Sequence, residues 1–174
     1  MRRLLVLLAV LLLLPGTVQA DGAWRGKRVV VNDYTSPAYK PAVADMVRAF
    51  NTMLPKHAPR LVYRPQPERP CSALDRAKQR GTIAVCLSGG SWDLTNSNVK
   101  RGELQWAMII LIGDDSPAER PNTICHEMMH AVTDVPDNYL DPHAATSCVQ
   151  GTLPYPGSWD AAYARKVYKQ ARHR

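Results

Sequence analysis

The sequence predicts an α+β fold: a mixed sheet crossed by one helix, a second helix that carries the chemistry, and a third helix near the C-terminus. Three observations predict it. Apolar, often β-branched runs at 28–31, 82–87 and 105–112 have strand length. Stretches at 41–54, 122–132 and 159–167 instead bring apolar residues round every three or four positions, the repeat of a half-buried helix. Finally, 174 residues with 45% apolar and 21% charged composition suffice for one core and hardly for two. That composition excludes a disordered, collagenous or coiled-coil chain, and no segment reaches the roughly 18 apolar residues of a bilayer span.

Residues 1–20 read as a secretory signal peptide. Arg2 and Arg3 precede an unbroken apolar run from Leu4 to Leu14, and Val18 and Ala20 are the small residues that cleavage before Asp21 requires. Domain organisation is therefore a leader, 1–20, and one domain, 21–174, with a secreted, extracellular or periplasmic destination. Losing Arg2 and Arg3 lowers the formal charge from +7 to +5.

Within the domain, Arg28 to Val31 is the first strand and ends at the turn-prone segment Asn32 to Pro37. From Pro41, the apolar stripe Val43, Met46, Val47, Phe50, Met53 and Leu54 is a helix closed by Pro55. Leu61 to Tyr63 is a short second strand before a proline-rich loop, and Thr82 to Leu87 is a third. Gln105 to Ile112, the longest apolar run of the domain, reads as a strand buried on both faces. Two helix starts compete after it: Ser116 and Glu119 have capping-box spacing, whereas Pro121 fits a first turn. The aspartate pair Asp114 and Asp115 reads as a solvated turn rather than a calcium site. In the last helix Trp159, Tyr163 and Val167 form the apolar stripe. Arg165, Lys166, Lys169, Arg172 and Arg174 are its solvated face, with no aromatic interleaving or motif that would indicate nucleic acid.

Export to an oxidising compartment makes Cys71, Cys86, Cys125 and Cys148 two disulfides, with three pairings allowed. The favoured pairing joins Cys71 to Cys86 across a short loop, and Cys125 to Cys148 so that the segment following the second helix is tied back to it. A thiolate metal site lacks the usual C-x-x-C spacing.

The chemistry sits on that helix, in His126-Glu127-Met128-Met129-His130. Histidines at i and i+4 share one helical face, with Cβ atoms about 5–6 Å apart, so both imidazoles can bind one Zn²⁺. Glu127 is then placed to take a proton from a zinc-activated water attacking a carbonyl and to return it to the leaving amine. Chance would produce such a pentamer in about 0.3% of chains of this composition. A catalytic zinc needs a third protein ligand. Asp134 lies about 12 Å along a straight helix from His126, too far to share one ion. Asp137, just after Val135-Pro136, is favoured; His143 comes next and Asp141 last.

These residues resemble the metzincin zinc endopeptidases, in particular their small secreted snapalysin-like and matrixin-like members. The family pattern is H-E-x-x-H-x-x-G-x-x-H or D, followed by a turn with a methionine beneath the metal; here the segment runs from His126 to Tyr139. The resemblance implies a metzincin-like twisted mixed sheet, with His126, His130 and Asp137 as ligands, Glu127 as the base and Tyr139 as a donor to the oxyanion. It also supports the Cys125–Cys148 pairing, and implies that an edge strand pairs with an extended substrate. Thr133 replaces the family glycine, and the spacing from His130 to the acid is one residue longer, so Asp134 is the candidate for the left-handed residue. In Ser147-Cys148-Val149, valine takes the methionine's place.

The expected function is hydrolysis of peptide bonds in a protein or peptide substrate by a monomeric secreted zinc enzyme, with no nucleic-acid partner and no membrane association after leader cleavage. A secreted zinc-binding module of the same fold with little or no proteolytic activity is the alternative that the missing glycine and methionine favour. A third reading is the same metal chemistry on a non-protein amide such as a cell-wall peptide.

Overall fold

The computed structural model describes residues 22–75, 79–90, 93–113, 116–136, 146–149 and 153–173. The leader lies outside the described residues, as do Asp114, Asp115, Asp137, Tyr139, Asp141 and His143. The first strand, β1 (Arg28–Asp33), buries Val29 and Val31 on one face. It runs two residues into the predicted turn because Asn32 and Asp33 remain in register with neighbours on both sides. The turn then closes on Asp33, whose buried carboxylate accepts the Thr35 N–H and hydroxyl at 2.9 and 2.6 Å. Helix α1 (Lys40–Met53) follows, with Pro41 in its first turn and Val43, Met46, Val47 and Phe50 buried, as its stripe predicts.

Strand β2 (Arg60–Pro65) pairs with β1 along its whole length, so it is longer than its apolar centre. A short 3₁₀ turn at Cys71–Ala73 leads to β3 (Thr82–Leu87), where Ile83 and Val85 face one side and Ala84 and Cys86 the other. Two strands follow, β4 (Leu94–Lys100) and β5 (Glu103–Leu111). The hairpin joining them turns on Arg101 and Gly102, both with positive φ (55° and 73°), the type I′ arrangement. The sheet order is β2-β1-β3-β5-β4: β1, β2, β3 and β5 form parallel pairs, and β4 lies antiparallel to β5 at one edge. This is a mixed sheet in an α+β chain, the predicted class.

Sequence reading missed β4. Leu-Thr-Asn-Ser-Asn-Val-Lys has poor strand propensity, and Arg-Gly is a weak hairpin signal beside Asn-Gly or Asp-Gly. The apolar neighbour β5 supplies the ladder that this segment cannot specify alone. The expectation that β5 is buried on both faces holds for its centre, Ala107 to Ile109, whereas Trp106 and Ile110 stay half-exposed.

Helix α2 (Arg120–Thr133) packs on β4, β5, α1 and the last helix, α3 (Ser158–Ala171). Of the two competing starts the helix takes the later one: its N-cap is Glu119, with no side-chain cap bond, and the expected capping box at Ser116 forms only a turn before it. Glu119 accepts the Ser116 hydroxyl at 2.6 Å in the turn just before the helix, and Pro121 occupies its first turn. The main core lies between the sheet and the helices, where Ile124, Met128, Met129 and Val132 meet Phe50, Ile109, Leu111, Tyr163 and Val167. A smaller cluster covers the opposite face around Cys86 and Met108, tied down by the Cys71–Cys86 disulfide; the second disulfide is Cys125–Cys148. Both are the favoured pairs, and they fit an oxidising, secreted or extracellular setting. Among the described residues no helix is long and apolar enough to cross a membrane.

Candidate metal centre

One turn of helix separates His126 from His130, and their Nε2 atoms approach to 3.0 Å. Two nitrogens held about 2.05 Å from one tetrahedral zinc would lie about 3.3 Å apart, so the imidazoles already converge as a shared ion requires. The tautomer of His130 follows from its other nitrogen. Nδ1 contacts the Val135 carbonyl, which can only accept, so a proton sits on Nδ1, and in the neutral imidazole Nε2 is the nitrogen able to bind an ion, on the side of His126. Among the described residues no three His, Cys, Asp or Glu side chains converge on one point. Asp134 bounds the same cavity as the pair without forming such a group, and the helix ends before it instead of continuing straight, while Asp137, His143 and Asp141 lie outside the described residues.

The helix ends as the missing glycine demands. Thr133 stays helical, its hydroxyl bonded to the Met129 carbonyl at 2.8 Å, and Asp134 takes the left-handed conformation at φ 55°, ψ 31°. Its N–H bonds the His130 carbonyl at 2.8 Å and its carboxylate accepts the Ser97 hydroxyl at 2.9 Å. The next carbonyls, of Ala131 and Val132, accept from the Trp24 indole at 2.8 Å and the Tyr168 hydroxyl at 3.0 Å. Buried side chains from both ends of the domain thus satisfy the orphan acceptors and hold the turn. Asp134→Ala and Asp134→Gly both lose the Ser97 bond, but only alanine suffers the steric cost of positive φ. The alanine variant is expected to be less stable by about 1 kcal/mol in urea unfolding.

Glu127 is buried, only 5% exposed, and burial pushes its carboxyl above the usual carboxylate range. The Thr95 hydroxyl and the two histidines oppose that shift, whereas Asp93 adds to it. Thr95 Oγ1 lies 2.8 Å from both Oε2 and the backbone carbonyl of Glu127, so a single hydroxyl on β4 orients this side chain. His126, Glu127 and His130 open into a cavity of about 310 Å³ whose facing wall is Asp93, Thr95 and Ser97. None of those three was singled out from sequence. They are ordinary polar residues more than 25 positions from the motif, and only the β4–β5 hairpin brings them there.

A fourth missed residue, Asp160, anchors the turn that the second disulfide ties to the motif helix. Asp160 on α3 is fully buried and accepts three bonds: from the Ser147 hydroxyl at 2.6 Å, the Cys148 N–H at 3.0 Å and the Gly157 N–H at 2.7 Å. Gly157 is needed there because a Cβ would lie 1.9 Å from the Thr146 carbonyl oxygen. This carboxylate holds the Ser147-Cys148-Val149 turn, which the disulfide joins to Cys125, the residue before His126. Val149 is buried in the main core. Asp160→Ala strands two N–H donors and a hydroxyl, and is expected to cost about 3 kcal/mol. For a domain of this size that lowers the melting temperature by roughly 6–12 °C in calorimetry.

No known protein family matches the chain by sequence, and no curated protein does either.

Proposed function

We propose that the protein is a secreted zinc-dependent endopeptidase of the metzincin type. The observation that carries this reading is the convergence of the His126 and His130 Nε2 atoms at 3.0 Å, with the His130 tautomer set for metal binding by Val135 and a buried carboxyl, Glu127, on the adjacent position. A helix whose histidines merely faced solvent would have no reason to bring both Nε2 atoms together beside a polar cavity.

His126 and His130 hold the ion, and Asp137 is the third ligand. The turn geometry supports that choice: in the metzincin pattern the ligand follows the left-handed glycine by three positions, and Asp137 follows the left-handed Asp134 by three. The longer spacing from His130 is thereby absorbed, because the whole turn has moved one residue along. When bound, zinc supplies a Lewis acid that acidifies a water and polarises the scissile carbonyl. Glu127 accepts the proton of the attacking water and returns it to the amine as the C–N bond breaks, with Thr95 fixing its orientation. Tyr139 donates to the oxyanion. The open edge of β4 offers an extended substrate a backbone ladder beside the cavity. The displaced glycine, which favoured an inactive binding module, is accommodated by Asp134.

The test is cleavage of a quenched protein substrate by the oxidised, refolded chain from Asp21 onward. Activity should vanish with a chelator and return with Zn²⁺. Zinc uptake without cleavage of either protein or cell-wall peptide would leave the binding-module reading standing instead.

A further inference from the structure

We propose that Asp93 is a specificity-determining residue that selects substrates with a lysine or arginine side chain close to the scissile bond. The inference rests on the endopeptidase reading and concerns the same cavity. Side chains of an extended strand alternate, so Thr95 and Ser97 share one face of β4, and Asp93, the residue just before the strand, lines the same cavity with them. Each has a definite place. Thr95 bonds Glu127, Ser97 bonds Asp134, and Asp93 stands two residues, or about 6.6 Å of strand, from the Glu127 contact.

Asp93 is held rather than loose. Its Oδ1 accepts the Ile112 N–H at 2.8 Å, which anchors the carboxyl to the end of β5. Among the described residues it forms no ion pair, and the described cavity lining includes Asp93, Glu127 and Asp134 but no lysine or arginine. The described lining thus offers carboxylates and no lysine or arginine, in a chain whose overall charge is positive. Glu127 is committed to proton transfer and Asp134 to closing the helix, which leaves Asp93 as the carboxylate with charge to offer a substrate. A peptide extended along β4 passes Asp93 within one or two residues of the cut. A cationic side chain there meets a fixed, half-buried carboxylate, a setting in which pairing is stronger than at an open surface.

The test uses matched quenched peptides that place Lys, Gln or Glu singly at each of the three positions on either side of the cut. Wild type is expected to show kcat/KM in the order Lys, Gln, Glu at one position, with the Lys peptide at least about tenfold better than the Glu peptide. Asp93→Asn keeps the acceptor for Ile112 and removes only the charge, so the Lys-to-Glu ratio should fall towards one, mainly through KM; Asp93→Lys should reverse it. Because the readout is a ratio within one variant, a general loss of activity cancels. Should the Asn variant fail to fold, Asp93→Ser gives the same comparison. Peptides cut with no preference for Lys at any position, or a preference that survives both Asp93→Asn and Asp93→Ser, overturn this inference and leave the endopeptidase reading intact. A wild-type protein that takes up zinc yet cuts none of the peptides or proteins overturns both.

Discussion

Glu127→Ala is expected to lower kcat for protein hydrolysis by about 10²- to 10⁴-fold while leaving zinc uptake at one ion per chain. The magnitude is that of a positioned general base. Two features support that proposed role for Glu127. Its carboxyl is buried beside the imidazole pair, and Thr95 on a different element fixes its direction. An enzyme that used Glu127 only as packing would lose stability on truncation and keep its turnover. Kinetics and zinc titration on the same preparation separate these cases: residual activity above a tenth of wild type, with normal zinc content, would remove Glu127 from the proton transfer. Glu127→Gln is the companion variant, since its amide oxygen still accepts from Thr95 while it cannot take a proton.

His126→Ala and His130→Ala are expected to abolish most of the zinc-dependent stabilisation. A ligand at a hundred times its Kd stabilises the folded state by about 2.7 kcal/mol, roughly 5–10 °C in melting temperature for a domain of this size. The wild-type protein should show a rise of that order on adding Zn²⁺ to the chelated form, and each alanine variant should show little or none. His130→Ala carries a second effect, because it also deprives the Val135 carbonyl of its donor, so its metal-free form should melt below that of His126→Ala. Equal zinc-dependent shifts in wild type and both variants would refute the paired-imidazole site. The same titration applied to Asp137→Ala and His143→Ala assigns the third donor: the variant that loses the shift identifies the ligand.

Much of the molecule follows from local spacing. The histidine pair meets because i and i+4 on a helix always do, and the helix itself is announced by Ile124, Met128, Met129 and Val132. Likewise the stripe of α1, the stripe of α3 and the apolar run of β3 each needed only their own residues to be recognised. Asp134 was legible as the left-handed residue for the same reason, since aspartate tolerates positive φ better than its neighbours and stands where the turn must begin. Both disulfides also followed from short-range order along the chain, a short loop in one case and a helix with its following segment in the other.

What lay beyond that reach was everything that depends on which strand lies beside which. The segment from Leu94 to Lys100 has no strand signal of its own and is ordered by β5, which outlines a partner for it. With it come Asp93, Thr95 and Ser97, the wall that faces the imidazoles. The buried carboxylate of Asp160 belongs to the same class: in sequence it is one acid in the first turn of a helix, and only the return of the Ser147–Val149 turn onto α3 makes it an anchor. The sequence by itself determined the helices, the paired histidines, the left-handed turn and the cross-links, because each is set by geometry within a few residues or a short loop. Only the tertiary structure decided the edge strand, the orientation of Glu127 by Thr95 and the carboxylates lining the cavity, because hydrogen bonds between residues 30 or more positions apart depend on the order of strands in the sheet and not on any periodicity along the chain.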